Sequence, residues 1–163
     1  MTEYNKLKNL NNKLPMTELT THVLLADDDK DDREDFIEAF KSLKMQTELQ
    51  VVKNGAELMT YLNDPSLRLP HLLFLDLNMP KKSGRECLIE IKKIERLKNL
   101  TVAIYSTSSS EKDIEDTFMN GANVYIKKPA HLTVLKKVIS QILTINWQYQ
   151  TSGLNRDNFL LQL

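Results

Sequence analysis

The chain is poor in cysteine. Cys87 stands alone among 163 residues, so no internal disulfide can form, which fits a reducing compartment. It also lacks an excess of either charge. Its 22 lysines and arginines balance 22 aspartates and glutamates, and nothing in that balance points to nucleic acid or to an anionic membrane. Long apolar runs are missing too. None approaches the roughly 18 residues that a membrane span needs, and residues 1–21 have no apolar core of the signal-peptide kind. The expectation is a cytoplasmic protein with neither nucleic acid nor membrane as partner. The three histidines, His22, His71 and His131, are scattered, without ligand spacing and without a neighbouring Cys or Glu pair, which argues against zinc. No internal repeat is evident.

What is present is a 41% apolar fraction, enough for the core of one ordinary domain. Residues 1–20, rich in Asn, Lys and Thr, read as an N-terminal extension. The patterned domain covers residues 21–144, and residues 145–163 form a tail. Within the domain, apolar runs alternate with helical periodicity. Strands are expected at Val23–Ala26, Leu49–Val52, Leu72–Leu75, Val102–Tyr105 and Val124–Ile126. A helix after Asp31 carries Phe36, Ala39, Phe40 and Leu43 on one face. A short one runs from Glu57 to Asn63. The next opens at Ser83-Gly84, with Leu88, Ile91, Ile94 and Leu97 in line. Another covers Glu111 to Met119, and the last carries Leu132, Leu135, Val138, Ile139 and Ile142 and ends near Leu143. Five such units predict an α/β fold whose parallel sheet is covered on both faces.

Three strands end at chemistry. The first runs into Asp27-Asp28-Asp29, the third into Asp76-Leu77-Asn78-Met79-Pro80, and the fifth into Lys127-Lys128-Pro129. In a parallel sheet these ends share one edge, where open α/β sheets bind ligands. Carboxylates crowded around one lysine repel each other unless a divalent cation joins them, so an acidic, magnesium-dependent pocket is predicted. Cys87 reads as buried core. Asp29 reads as a loop acid, and Asp31 and Asp32 as solvated acids near a helix N-terminus.

Together these features resemble the receiver domain of two-component response regulators over residues 22–143. The resemblance rests on the acid cluster, the Leu-Asp-Leu-Asn-Met-Pro stretch with Gly84 behind it, the hydroxyl run Ser106 to Ser110, and Lys128-Pro129. The spacings agree: thirty residues from Asp76 to Ser106 and twenty-two from Ser106 to Lys128. The turn around Asn54-Gly55 is similar to that of small stand-alone receivers associated with bacterial phytochromes. The resemblance implies a flavodoxin-like, doubly wound five-stranded sheet of order 2-1-3-4-5.

It also implies roles. Asp76 would be the phosphoacceptor. Asp27, Asp28, Asp76 and the backbone carbonyl of Asn78 would hold Mg2+. Lys128, placed directly before a proline and often in a cis bond, would bind the phosphoryl group, with Lys127 as its competitor. Ser106 would be the switch hydroxyl, although Thr107 beside it offers a second one. Asn78 and Ser108 would shape the phosphate environment. Tyr125 would be the aromatic that swings inward when the hydroxyl moves, or else an ordinary half-buried strand tyrosine.

The implied function is that of a single-domain response regulator accepting phosphate from a histidine kinase or phosphotransfer protein. It would catalyse nothing beyond its own phosphorylation and dephosphorylation. No output domain is expected, because the tail is too short for a winged helix and its one basic residue is Arg156. Two other classes compete. A receiver-like scaffold that never carries phosphate would usually lack one of Asp27, Asp28, Asp76, Ser106 and Lys128. A phosphatase of the haloacid-dehalogenase type needs a second Asp where Asn78 stands. The tail's apolar residues, Trp147, Tyr149, Phe159, Leu160, Leu161 and Leu163, call for burial, either in a homodimer or against the chain's own domain.

Overall fold

A computed structural model describes residues 20–145 and 156–161. Five parallel strands form one sheet: β1 (Thr21–Ala26), β2 (Thr47–Val52), β3 (Leu72–Leu75), β4 (Thr101–Ser106) and β5 (Val124–Lys127), in the order β2-β1-β3-β4-β5. The helices are α1 (Lys30–Lys41), α2 (Gly55–Asn63), α3 (Gly84–Lys93), α4 (Glu111–Met119), α5 (Leu132–Thr144) and the single turn α6 (Arg156–Phe159). The doubly wound order expected from the resemblance is the one found.

Central β3 is buried along its whole length, because both its faces carry helices. One layer packs Leu58, Leu62, Leu88 and Ile91 against Leu24, Leu73 and Ile104. The other packs Phe36, Phe40, Val138 and Ile142 against Leu25, Phe74 and Ala103. Edge strand β2 instead alternates between more and less exposed residues. Cys87 lies in the first layer, fully buried, as expected, and burial pushes its thiol up to about 11.

Local chemistry sets the helix ends. Asn54, Ser83 and Ser110 each accept a backbone N–H of the first turn, and Ser83 with Glu86 completes a capping box. Three helix bounds need correction, the first being that α2 begins at Gly55 rather than Glu57, with Asn54 as its N-cap. Helix α1 begins at Lys30 rather than after Asp31, because Asp29 is its N-cap, accepting the Asp32 N–H at 3.0 Å. Asp29 is therefore not a plain loop acid. Helix α3 ends at Lys93, since Ile94 is extended at the C-cap. Leu97 reaches the core from the turn beyond, where its N–H bonds the Ile94 carbonyl.

Gly84 fixes the start of α3 directly against β3. A Cβ there would sit 1.9 Å from the carbonyl oxygen of Asp76. Only glycine lets that helix approach so closely, and its N–H bonds the Leu77 carbonyl at 2.9 Å. In the same connection Lys81 takes a left-handed conformation, φ 66°, which is uncommon for a residue with a side chain.

Candidate active site at the strand ends

The register brings the acidic ends together. Ala26 pairs with Leu75, so Asp27 and Asp76 leave the sheet side by side, and the Asp76 N–H bonds the Ala26 carbonyl at 3.0 Å. Leu75 pairs with Ile104 and Ser106 with Lys127, which carries Lys128 to the same edge. The Lys128 N–H bonds the Ser106 carbonyl at 2.8 Å.

Lys128 is the hub. Its ammonium lies 2.8 Å from Asp27, 2.8 Å from Asp32 and 3.3 Å from Asp76. Both strand-end acids are buried. Burial raises the pKa of Asp76, from 3.8 to about 6; Lys128 pulls it down, and the like charge of Asp27 adds to the rise. Burial likewise raises that of Asp27 against the pull of Lys128. On Lys128, burial works against the charged form, but the bonds to Asp27 and Asp32 outweigh it and hold the ammonium above the usual lysine range. Tyr105 lies beneath, its ring centroid 5.3 Å from the ammonium, and Arg33 donates to the Asp27 carbonyl at 2.9 Å.

Asp27, Asp28 and Asp76 each present an oxygen within 4.8 Å of the others, a spacing that suits a shared cation. The residues fit a hard divalent metal. All the donors are oxygens, and the buried Oδ2 of Asp27 is an ion-pair partner of Lys128 without a well-aligned hydrogen bond.

The model of the response regulator receiver domain matches residues 23–140. The chain belongs to this family. Response regulator Rcp1 of Synechocystis sp. is 35% identical over 127 residues, 74% of this chain and 84% of Rcp1. The Mn(2+)-bound form of Rcp1 superposes with a TM-score of 0.71 at 33% identity, covering 78% of this chain and 94% of that one. The phosphorylated cyanobacterial phytochrome response regulator RcpA gives 0.71 at 34% identity, covering 83% and 97%. The bacteriophytochrome response regulator RtBRR gives 0.66 at 30%, covering 78% and 80%. A receiver fold with these relatives agrees with the expected stand-alone, phytochrome-associated type.

Within this receiver, the geometry separates the neighbours that sequence left open. Lys128 points into the cluster, whereas Lys127 is exposed. Ser106 is fully buried at the end of β4 and its hydroxyl accepts the Ser108 N–H at 3.2 Å, whereas Thr107 is exposed. The Asn78 N–H lies 3.4 Å from Asp76 Oδ1. The Ser108 hydroxyl donates to Asp113 at 2.6 Å, and Arg85 of α3 pairs with the same carboxylate, so the loop after β4 is tied down. Tyr125 is fully buried and donates its hydroxyl to the Ser108 carbonyl at 2.9 Å. Its side chain is fully buried rather than half-buried. The Lys128–Pro129 bond is trans, not the cis form often met in the family.

Two participants escaped the sequence reading. Asp32, read as a solvated acid, is only partly exposed and its carboxylate is a partner of Lys128 at 2.8 Å. No linear signal marked it, since an acid in the first turn of a helix is ordinarily read as solvated. Tyr105 carried no signal beyond being the aromatic before Ser106. No helix among the described residues is long and apolar enough to cross a membrane.

Proposed function

We propose that the protein is a single-domain response regulator that accepts a phosphoryl group on Asp76 from a phosphohistidine in a phosphorelay. One observation carries this reading: a single buried lysine bridges Asp27 and Asp76 while Asp28 completes a cation-sized group of oxygens. An Asp76 oxygen attacks the phosphorus in line. The P–N bond to the donor imidazole breaks, its electron pair returns to the ring nitrogen, and an acyl phosphate forms. Lys128, the most loosely bound of whose three carboxylates is Asp76, turns to the new phosphoryl oxygens. Ser106 supplies the second contact. Asp27, Asp28, Asp76 and the Asn78 carbonyl would hold Mg2+, which would supply positive charge against the phosphoryl oxygens.

Catalysis is confined to the chain's own phosphorylation and dephosphorylation, in the cytoplasm. Output passes through protein contacts or onward phosphoryl transfer, without nucleic acid or membrane. The likeness to RcpA and RtBRR makes a phytochrome-type histidine kinase the first donor to test. Part of the apolar tail that suggested a homodimer is covered by the chain's own domain, through Phe159. Trp147, Tyr149 and Leu163 lie outside the described residues.

The test is chemical. Phosphoramidate with magnesium should give an adduct that hydroxylamine releases as inorganic phosphate. A protein that takes up no phosphoryl group from phosphoramidate or from a kinase would be the non-phosphorylated scaffold instead.

A further inference from the structure

The tail segment bears on the switch. Phe159, at the end of α6, is fully buried, with its ring 5.3 Å from Phe118 of α4 and 6.2 Å from Tyr125 of β5, edge-on to the latter. The next two residues run beside β5, the outer strand of the sheet. Leu160 forms a parallel bridge with Tyr125, and the Leu161 N–H donates to the Tyr125 carbonyl at 3.0 Å. Leu160 packs on one layer of the core and Leu161 on the other. Tyr125 is thus held at three points: its hydroxyl by Ser108, its ring by Phe159 and its backbone by Leu161.

We propose that Phe159–Leu161 is a positioning strap that locks Tyr125 inward and so raises the affinity of the Asp76 site for a phosphoryl group. The inference rests on the phosphoacceptor reading above. Phe159 packs edge-on against the ring of Tyr125, so a Tyr125 ring that leaves its buried place gives up that contact. In this place the Tyr125 hydroxyl holds the Ser108 carbonyl while the Ser108 N–H holds the Ser106 hydroxyl, so the ring and the hydroxyl beside Asp76 are set by one loop. A contact that favours one state of a two-state element must favour every ligand preferring that state, and the coupling is reciprocal. The strap and the phosphoryl group therefore strengthen each other across the domain.

The experiment uses the full chain with beryllofluoride, a mimic of the phosphoryl group, at saturating magnesium. Calorimetry gives the affinity of the wild type, Phe159→Ala, Phe159→Leu and Leu161→Pro, and of each for magnesium alone. Phe159→Ala should weaken beryllofluoride binding about fivefold or more, and Phe159→Leu should recover most of it. Leu161→Pro, which removes the N–H donor along with the packed Leu161 side chain and stiffens the backbone at Leu160, should weaken it in the same direction. Magnesium affinity should not move. In the wild type, beryllofluoride should slow hydrogen exchange of the Leu161 amide, equally at low and high protein concentration.

Unchanged beryllofluoride affinity in Phe159→Ala and Leu161→Pro would overturn the strap. So would an equal loss of magnesium affinity, which marks general loosening, or an effect that dilution removes, which places the strap on a second copy. A wild type that binds magnesium but no beryllofluoride would instead bring down the phosphoacceptor reading, and the strap with it.

Discussion

Replacing Asp76 by Asn should make the metal-free protein more stable at neutral pH. Asp76 is 5% exposed and its pKa is raised from 3.8 to about 6, mainly by burial. For an acid, a raised folded pKa means that the folded state holds its proton while the unfolded state has already released it. Stability then falls as pH climbs through 3.8 to 6. The penalty is complete above that window and absent below it. Two pKa units correspond to about 3 kcal/mol at most. The mutation also removes the charge from the 3.3 Å contact with Lys128, but that lysine keeps Asp27 and Asp32 at 2.8 Å each. A net gain of about 1–2 kcal/mol follows, or a rise in Tm of about 3–6 °C. Urea unfolding of both proteins in a chelator at pH 7.5 and pH 4.5 measures it. The gain should be full at pH 7.5 and should shrink at pH 4.5. A mutant less stable than the wild type at pH 7.5, or a gain indifferent to pH, would refute the charge-strain argument.

Magnesium should raise the Tm of the wild type, because the cation relieves repulsion among Asp27, Asp28 and Asp76, and Asp28→Ala should abolish that rise. Identical melting of the wild type with magnesium and with a chelator would count against the pocket. Asp32→Asn should cost about 1 kcal/mol in urea unfolding, since the lost partner is charged but partly solvated; an unchanged midpoint would make the Lys128 contact incidental. Gly84→Ala should cost about 1–3 kcal/mol, because the new Cβ meets the Asp76 carbonyl and must push α3 off β3. A neutral effect would mean that the close approach is not needed.

The sheet was legible because double burial writes continuous apolar runs: Leu72–Leu75 is short, apolar throughout and bounded by turn residues, and its end placed Asp76 at the edge. The helices were legible as faces, and Glu111–Met119 was legible at both ends, but some other ends were not. Ile94 and Leu97 keep helical spacing with Ile91, yet the chain turns at Ile94 and delivers Leu97 to the same core from outside the helix. Periodicity reports which residues are buried and is silent on the backbone that buries them.

The same limit explains the site. Asp27, Asp28, Asp76 and Lys128 were found because they sit at strand ends, where topology alone brings them together. Asp32 reaches the cluster by the length of a side chain across from α1, and no linear pattern separates that from the solvated turn it resembles. The contact of Phe159 with Tyr125 joins residues 34 positions apart on elements with no shared motif. Only the wish of an apolar tail to be covered was visible.

The most direct measurement is the mass of the intact protein after incubation with acetyl phosphate and magnesium, for the wild type and Asp76→Asn. The account predicts a gain of one phosphoryl group on the wild type, lost when magnesium is chelated, and no gain on Asp76→Asn. An equal gain on both proteins would place the phosphate elsewhere and contradict the assignment of Asp76.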